Sequence, residues 1–398
     1  MTSNPFIKPL KPFDPKTDLN VAESFKSSIG STGGDALSDL EADDDDGGSQ
    51  LRGEEFCNIK TGGPIVADIA YAGSLGSRDM FMVSNTRGEI YFLSPKEETF
   101  AVLGKFSIPG QIIRRPAYID GIIYCATREG NLFAIHAAPT SESEKIEPQI
   151  LWKKKFGKGI LTEPIATGKV LLTATLGGLF SFEAYYRDKD HKSIGKPLWR
   201  KQLRGIVSTP VMHEGALYFG CEDKNVYAVD YGSKKTTELW KYQATDSVRS
   251  KPCISVHRDL LVFSSIDGYI YAVNRMTGEY RWSYVTRAPI LSSVVSSVIG
   301  REEYFFAGAD DGNFYCINSR GKQVWAFKTS GRIRTEALID GQRIYFGGED
   351  NSLYCLNAAT GKEIFRYSTD GNINSKPVVR NNLLVFGSSD SFVHCIHV

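Results

Sequence analysis

The sequence lacks the features that mark disulfide-rich, zinc-binding or membrane proteins. Its seven cysteines include no adjacent pair and no C-x-x-C pair, so neither a disulfide framework nor a zinc site is indicated. No run of about 18 apolar residues occurs, so no membrane-spanning helix is predicted. The N-terminal residues also lack the apolar core of a secretory signal. Together these absences predict a cytoplasmic protein.

The sequence also lacks an excess of charge of one sign. It contains 47 Lys and Arg against 46 Asp and Glu, so its overall charge does not favour nucleic-acid binding. The six histidines show no ligand spacing. His394 and His397, three residues apart on a predicted strand, should point to opposite faces. We therefore predict no bound metal and no cofactor.

Residues 1–53 differ in composition from the rest of the chain. Residues 1–50 contain four Lys and ten Asp or Glu, a net charge of −6, and are rich in Ser, Gly and Pro. This composition predicts a disordered acidic tail, because it cannot bury enough apolar surface to offset the entropy of ordering. Prolines alternate with large apolar residues at 5–7 and 9–13. The tail is thus either a solvated segment or a docking peptide.

From residue 54 onward the chain is dominated by an internal repeat. Residues 264–287 show its form: a strand, a tight Asp267-Gly268 hairpin, a second strand, a Thr277-Gly278 turn, and a third strand centred on Trp282. Glycine accepts the positive φ that such turns require. Each unit is anchored by an apolar residue in the pattern I-x-[ST]-x-P. The anchors are Ile65, Ile112, Ile160, Ile206, Val248, Ile290, Ile333 and Ile373.

The spacing of these anchors predicts the architecture. Successive anchors lie 47, 48, 46, 42, 42, 43 and 40 residues apart, which suits one four-stranded propeller blade per unit. All five tryptophans occupy one slot, seven or eight residues before the next anchor, where a buried aromatic would fill the wedge between blades. They are Trp152, Trp199, Trp240, Trp282 and Trp325.

The eighth unit is incomplete, and this predicts how the ring closes. It ends after a third strand at residues 392–397, whereas residues 55–61 precede the first anchor by the distance of a fourth strand. Pairing the two would remove the exposed sheet edges. We therefore predict an all-β, eight-bladed β-propeller of four-stranded antiparallel blades over residues 54–398, present as a monomer.

The repeat resembles the PQQ-like (quinoprotein-type) β-propeller family. The resemblance rests on the Y-[AC]-[VIL]-[DN]-x-x-T-G-x-x-x-W core, as in residues 271–282, and on the G-x-[IV]-x-S-x-P strand that follows. It implies eight blades. The family includes quinone-dependent dehydrogenases, outer-membrane assembly lipoproteins and scaffold propellers, so the fold alone does not fix function. The dehydrogenases often have adjacent cysteines and need a tryptophan beneath the cofactor. This chain has no adjacent cysteines, and all of its tryptophans are assigned to the slot between blades.

Two sets of charged residues are candidate sites. The first set should face the axial channel, if the I-x-[ST]-x-P segment forms the innermost strand. It comprises Asp68, Arg115, Glu163, Arg249, Lys251, Arg334, Glu336 and Lys376. Since both signs are present, the set is either a network of salt bridges around a water-filled channel or a site for a small polar or anionic ligand.

The second set lies near two long insertions, residues 137–149 and 184–197, predicted between the third and fourth strands of adjacent blades. It forms a basic rim, comprising Lys153, Lys154, Lys155, Lys158, Tyr185, Tyr186, Arg200, Lys201 and Arg204. Long loops on a rigid frame commonly carry binding residues. We predict a non-catalytic scaffold that binds a protein partner, with an acidic partner at this rim. A quinoprotein-like dehydrogenase or a ligand sensor using the channel is the alternative.

Overall fold

The protein is an eight-bladed β-propeller. The computed structural model describes residues 53–398 except 76–77, 141–142, 168–169, 185–194, 206 and 232–235. Within these ranges, eight four-stranded antiparallel sheets form the ring, which confirms the predicted fold class. The acidic segment 1–53 lies outside the described residues, apart from Gly53.

In blades 1 to 7 the four strands follow in sequence order from the channel to the outer edge. Blade 1 comprises Ala70–Leu75, Arg78–Ser84, Glu89–Lys96 and Thr99–Ser107, and blade 2 comprises Ala117–Ile119, Ile122–Ala126, Asn131–His136 and Gln149–Lys155. Blade 3 comprises Ile165–Ala166, Val170–Thr175, Gly178–Glu183 and Pro197–Gln202, and blade 4 comprises Val211–His213, Ala216–Gly220, Asn225–Asp230 and Thr237–Gln243. Blades 5 to 7 comprise Cys253–Ile254, Leu260–Ser264, Tyr269–Asn274 and Tyr280–Val285; Val295–Ile299, Glu302–Gly308, Asn313–Asn318 and Gln323–Lys328; Leu338–Asp340, Arg343–Gly347, Ser352–Asn357 and Glu363–Ser368.

Blade 8 combines the two ends of the described chain. Its first three strands are Val378–Arg380, Leu383–Gly387 and Phe392–His397, and its fourth is Glu55–Lys60. The closing strand pairs in register, with Cys57 opposite Cys395 and Lys60 opposite Phe392. The predicted closure is therefore confirmed, and every blade has four strands.

The up-and-down order gives the ring two different faces. The hairpin face carries the turns between second and third strands, such as Asp267-Gly268, and the segments that cross from one blade to the next, such as 244–252. The turn face carries the connections between first and second and between third and fourth strands, such as 275–279. Along the crossing segments, residues from different blades come into contact, as Lys251 and Glu336 do.

The hydrophobic core lies between the blades. Second and third strands are almost wholly buried, whereas the fourth strands alternate between exposed and half-buried residues. In every blade the pairing of third and fourth strands shifts register directly before the tryptophan slot. Such β-bulges increase local twist, and here the bulge turns the slot residue toward the next blade.

The tryptophan slot forms the outer part of each seam between blades. The Nε1–H of Trp282 donates to the Ser319 carbonyl of blade 6 at 3.0 Å, and that of Trp240 donates to the Arg275 carbonyl of blade 5 at 2.9 Å. A glycine lies under each of these rings. At Gly278, where φ is +74°, an added Cβ would lie 2.7 Å from Trp240. The Thr-Gly turn is thus required both by its positive φ and by the neighbouring tryptophan.

The I-x-[ST]-x-P segment is not the innermost strand, so that expectation is wrong. The first strands begin after the proline slot, as Cys253–Ile254 follows Pro252. Within the segment a side chain replaces the backbone ladder: Ser250 Oγ donates to the Ser264 carbonyl at 2.8 Å and accepts from the Ser264 amide. Proline has no N–H to contribute at this point, so the segment runs in as an extended crossing.

The anchor residue forms the inner part of each seam. Ile333 packs on Gly308 of the preceding blade, where an added Cβ would lie 2.1 Å from its Cγ2. Ile373 packs in the same way on Gly347, and Ile65 packs on Gly387 across the closure. The seam between blades 8 and 1 therefore repeats the internal ones.

Blade 1 shows how the insertion of blade 2 is used. Its slot residue is Gly104, opposite Phe92, so no tryptophan is available. The insertion forms a small hairpin, Pro139–Thr140 with Ser143–Ile146, and Ile146 is buried against Gly104. The first insertion is thus a packing element, while most of the second, 184–197, lies outside the described residues.

We predict that Trp282→Ala destabilises the ring by about 3 kcal/mol, because the substitution leaves a cavity at the seam and removes a hydrogen bond. Urea denaturation would measure the free energy of unfolding. Val285→Ala on the same strand, 56% exposed, is the matched control and should cost less than about 0.5 kcal/mol. A loss below about 1 kcal/mol at Trp282 would contradict the seam role.

Candidate functional site

Six charged side chains meet in the axial channel, one from each of six blades. Glu336 is central, because its carboxylate accepts from Lys376 Nζ at 2.7 Å and from Lys251 Nζ at 3.0 Å. Arg115 Nη2 lies 3.2 Å from Glu163 Oε2. The backbone amide of Lys376 donates to Asp68 Oδ1 at 2.7 Å. We call these six residues, all predicted from the sequence, the channel cluster.

The channel cluster spans the axis and does not merely line it. Lys251 comes from blade 5 and Glu336 from blade 7, so their ion pair bypasses blade 6, whose Ser293 accepts from the Lys251 amide. The cluster contains three acids and three bases, so its formal charge is zero. The Glu336 and Glu163 side chains are only 14% and 15% exposed. With all six groups ionised the charges balance, and each glutamate has a cationic partner within the cluster.

The surroundings of the two glutamates shift their pKa values in opposite directions. Burial alone would raise the pKa of Glu336, but the charges of Lys251 and Lys376 outweigh it and lower the pKa to about 2. Burial raises the pKa of Glu163 to about 7 despite Arg115, and the nearby carboxylates of Asp68 and Glu336 add to this increase. The pKa of Glu163 therefore lies near neutrality.

Two predicted channel residues lie outside the cluster. Arg334 binds Asp310 of the preceding blade through two hydrogen bonds of 2.7 and 2.8 Å, and Glu349 lies 3.5 Å away. Arg249 pairs with Glu222 of its preceding blade. Both arginines lie one residue after an anchor and tie adjacent hairpins together. Their role is to connect blades on the hairpin face, because acidic residues of the turns meet them before they reach the axis.

The residues of the predicted basic rim are divided between packing and exposure. Lys153 lies over the Phe133 ring at 5.1 Å and Lys154 over the Phe182 ring at 4.4 Å. Lys201 is 3.2 Å from Glu238 and lies over the Tyr227 ring. The exposed members that lie over no ring are Lys155, Lys158, Arg200 and Arg204. Tyr185 and Tyr186 lie outside the described residues.

The exposed cations do not cluster beside the insertions, contrary to the expectation. The fourth strand of blade 2 begins near the insertion, where Gln149 pairs with His136, and ends at Lys155, which pairs with Asn131. Lys155 and Lys158 therefore lie toward the hairpin face, and Arg204 follows the end of the fourth strand of blade 3 in the same way. We call Lys155, Lys158 and Arg204 the basic sector; within the described ranges none of them has an ion-pair partner.

A feature missed at the level of sequence fixes the acidic hairpins. Asp267 Oδ2 accepts from Tyr271 Oη at 2.8 Å, and the same contact joins Asp311 to Tyr315 at 2.6 Å. Blades 4 and 7 repeat it. The sequence signal was the spacing Asp-x-x-x-Tyr, which recurs in the hairpins of blades 4 to 7. In blade 8, His394 replaces the tyrosine. These carboxylates accept from tyrosines of their own blades, and Asp267 and Asp350 also accept from the crossing segments that precede their blades. The cations of the basic sector have no ion-pair partner within the described ranges.

Two kinds of feature are absent from the described part of the chain. No group of three or more His, Cys, Asp or Glu side chains there is placed to hold a metal ion. None of the described segments is a helix long and apolar enough to cross a membrane.

The fold and its repeats define a β-propeller of PQQ-like units. The chain belongs to the family whose model is described as outer membrane protein assembly factor BamB, which matches residues 149–325 and 310–396, more than half of the chain. The recognition of PQQ-like repeats is thereby confirmed. The family and its relatives include both assembly factors and enzymes.

Known proteins resemble this chain in part. BamB of Burkholderia pseudomallei is 25% identical over 45% of this chain and 46% of its own length. Quinohemoprotein alcohol dehydrogenase ADH IIB of Pseudomonas putida is 34% identical over 37% of this chain and 22% of its own length. The chain thus spans about half, or less, of the curated relatives it matches. The structure of Chaetomium thermophilum Sqt1 bound to the N-terminus of ribosomal protein L10 has a TM-score of 0.72 at 11% identity, covering 87% of this chain and all of that one.

The described residues do not fit the quinone cofactor of the dehydrogenases. All five tryptophans occupy the seam slot, where they pack between blades, so none can form a platform in the channel. The channel itself contains a self-neutralising charge cluster.

We predict that Glu336→Gln destabilises the protein by about 2 kcal/mol at pH 7, because Lys251 and Lys376 would lose their shared carboxylate in a partly buried site. Thermal and urea unfolding would measure this loss. Arg366→Ala is the control, since the exposed Arg366–Glu363 pair should contribute less than about 0.5 kcal/mol. Equal effects of the two substitutions would show that the channel cluster is not a structural element.

We predict that the contribution of Glu163 to the stability of the folded protein decreases as the pH rises. Its folded-state pKa of about 7 exceeds the ordinary value of 4.5, so the folded state binds the proton more tightly than the unfolded state. The resulting stability is complete below about pH 4.5 and is lost as the pH rises through 7. We therefore expect the melting temperature of the unmodified protein to fall between pH 5 and 8, and Glu163→Gln to make this decline smaller. An unchanged profile in this variant would contradict the assignment.

Proposed function

We propose that this protein is a non-catalytic scaffold that binds an acidic segment of a protein partner through the hairpin face of blades 2 to 4. The observation that carries the proposal is the basic sector, whose cations are exposed and have no ion-pair partner within the described ranges. Exposed charges of this kind steer complementary partners and set specificity. The proposal includes a cytoplasmic location.

The positions of Lys158 and Arg204 support a shared surface. Each lies two residues before its anchor, so the two occupy equivalent places in adjacent blades. The other units place Gly63, Gly110, Asp246, Ala288, Gly331 and Gly371 there. A pair of cations at this position is therefore a property of blades 3 and 4, and not of the repeat.

The rest of the hairpin face supports the direction of binding. In blades 4 to 7 the hairpin carboxylates accept from tyrosines, and Asp310 is occupied by Arg334. An acidic segment that binds the basic sector would not compete with existing ion pairs there. A basic segment that binds the acidic hairpins would compete with the tyrosines and with Arg334. The axial channel is a weaker candidate, because its cluster already has matched charges.

We predict that charge reversal of the basic sector, Lys155→Glu with Lys158→Glu and Arg204→Glu, abolishes partner binding while the melting temperature stays unchanged. Quantitative mass spectrometry of proteins copurified from the native host would measure it, and binding should weaken with rising salt. The matched control reverses Arg320, Lys322 and Lys362, exposed cations of the turn face, and should retain the partner.

Two results would contradict the proposal. One is a set of copurified proteins that neither triple variant changes. The other is catalytic turnover: protein supplied with PQQ, calcium and a panel of alcohols should leave a dye acceptor oxidised, and reduction that depends on PQQ would favour the dehydrogenase alternative.

A further inference from the structure

The closing blade differs from the others at the seam slot. In blades 2 to 7 the slot residue is aromatic and faces a small residue of the third strand, as Trp325 faces Cys316 and Phe365 faces Cys355. In blade 8 the slot residue is Cys57, and it faces Cys395. Among the described strand pairs, this is the one place where two cysteines lie opposite each other.

The two cysteines have the geometry of a cross-strand disulfide site. Directly opposite residues of antiparallel strands have Cα atoms about 4.5–5.5 Å apart, within the range that a disulfide spans. Cys57 is 2% exposed and Cys395 fully buried, and both belong to one core cluster. Both thiols are free.

The environment makes the two thiols unequal. A hydrogen bond from the Cys395 thiol, helped by the backbone at Lys96, lowers the pKa of Cys57. The same contact and burial raise the pKa of Cys395. The thiolate is the attacking form, so Cys57 is suited to react first and Cys395 to complete the exchange.

Access to Cys57 follows from its position at the closure. The strand Glu55–Lys60 is the outermost of blade 8 and forms its ladder with a single neighbouring strand. Its outer side meets blade 1 through an isolated bridge between Cys57 and Glu98. Strands held in this way are the first to open locally, and opening exposes Cys57 without unfolding the ring.

We propose that Cys57 and Cys395 form a disulfide that locks the ring when a small-molecule disulfide such as oxidised glutathione is in excess. The Cys57 thiolate attacks one glutathione sulfur, its S–S bond breaks, and one glutathione thiolate leaves. Cys395 then gives its proton to a departing glutathione thiolate and attacks Cys57 Sγ, which breaks the mixed disulfide and releases the second glutathione. Two protein thiols are oxidised and one glutathione disulfide is reduced to two thiols.

The link would join two strands that lie at opposite ends of the ring sequence. Cross-linking residues so far apart removes more freedom from the unfolded chain than a short loop would. The disulfide would also link the third and fourth strands of blade 8 at the slot that an aromatic residue occupies in blades 2 to 7. The lock therefore acts within the blade that joins the two ends of the described chain.

The test uses the full chain incubated with oxidised glutathione, followed by blocking of remaining thiols and non-reducing peptide mapping. We expect a Cys57–Cys395 peptide and a rise in melting temperature of at least about 4 °C, both reversed by dithiothreitol. Cys57→Ser and Cys395→Ser should each lose the peptide and the rise. Cys316→Ala and Cys355→Ala, which face aromatic rings, are matched controls and should keep both.

Three outcomes would overturn the proposal. They are glutathione retained on Cys57 without a cross-link, a cross-link that involves other cysteines, and a melting temperature that does not respond in the unmodified protein. Because the mapping and the melting curve are both obtained on the unmodified chain, these outcomes can be observed even if a serine variant folds poorly.

Discussion

The structure depends on one recurring contact, a large side chain of one blade packed on a glycine of its neighbour. On the inner side of four described seams the anchor residue packs on the glycine that ends a second strand, as Ile333 does on Gly308. On the outer side a tryptophan packs on the glycine of a Thr-Gly turn, as Trp240 does on Gly278. A single blade buries little by itself, so its stability comes from these contacts with neighbours.

The channel cluster follows from the same geometry. The crossing segments bring one residue per blade toward the axis, three positions after each anchor, so eight side chains compete for one narrow space. Six of them are charged, and burial of unpaired charge is costly. Glu336 solves this by accepting from two lysines, and Glu163 by binding its proton more tightly. The ring thus fills its centre with its own charges and leaves its faces for other contacts.

The sequence predicted the features that recur from repeat to repeat. It did not predict the features that depend on contacts between blades. The anchors and tryptophans gave the blade number and the closure, because each recurs at a fixed spacing. The crossing segment was mistaken for a strand, since Ser250 closes the ladder by its side chain and the alternation alone does not show this. The insertion of blade 2 was expected to be a free loop, but Ile146 fills a gap at Gly104 in another blade. The pattern of charges in the sequence placed Lys155 and Lys158 beside the insertion, because that pattern does not show toward which face of the ring the strand runs.

The closing strand imposes an order on folding. Residues 55–60 can find their partner only after residues 392–397 are available, so the most distant contact in the sequence forms last during synthesis. Closing a loop of this length carries a high entropic cost and lengthens the mean sequence separation of contacts. Until then the third strand of blade 8 keeps an unpaired edge, which is able to recruit another strand. The ring is consequently most vulnerable to mispairing just before it closes, and the residues that govern this step are those of the terminal strand, not those of the core.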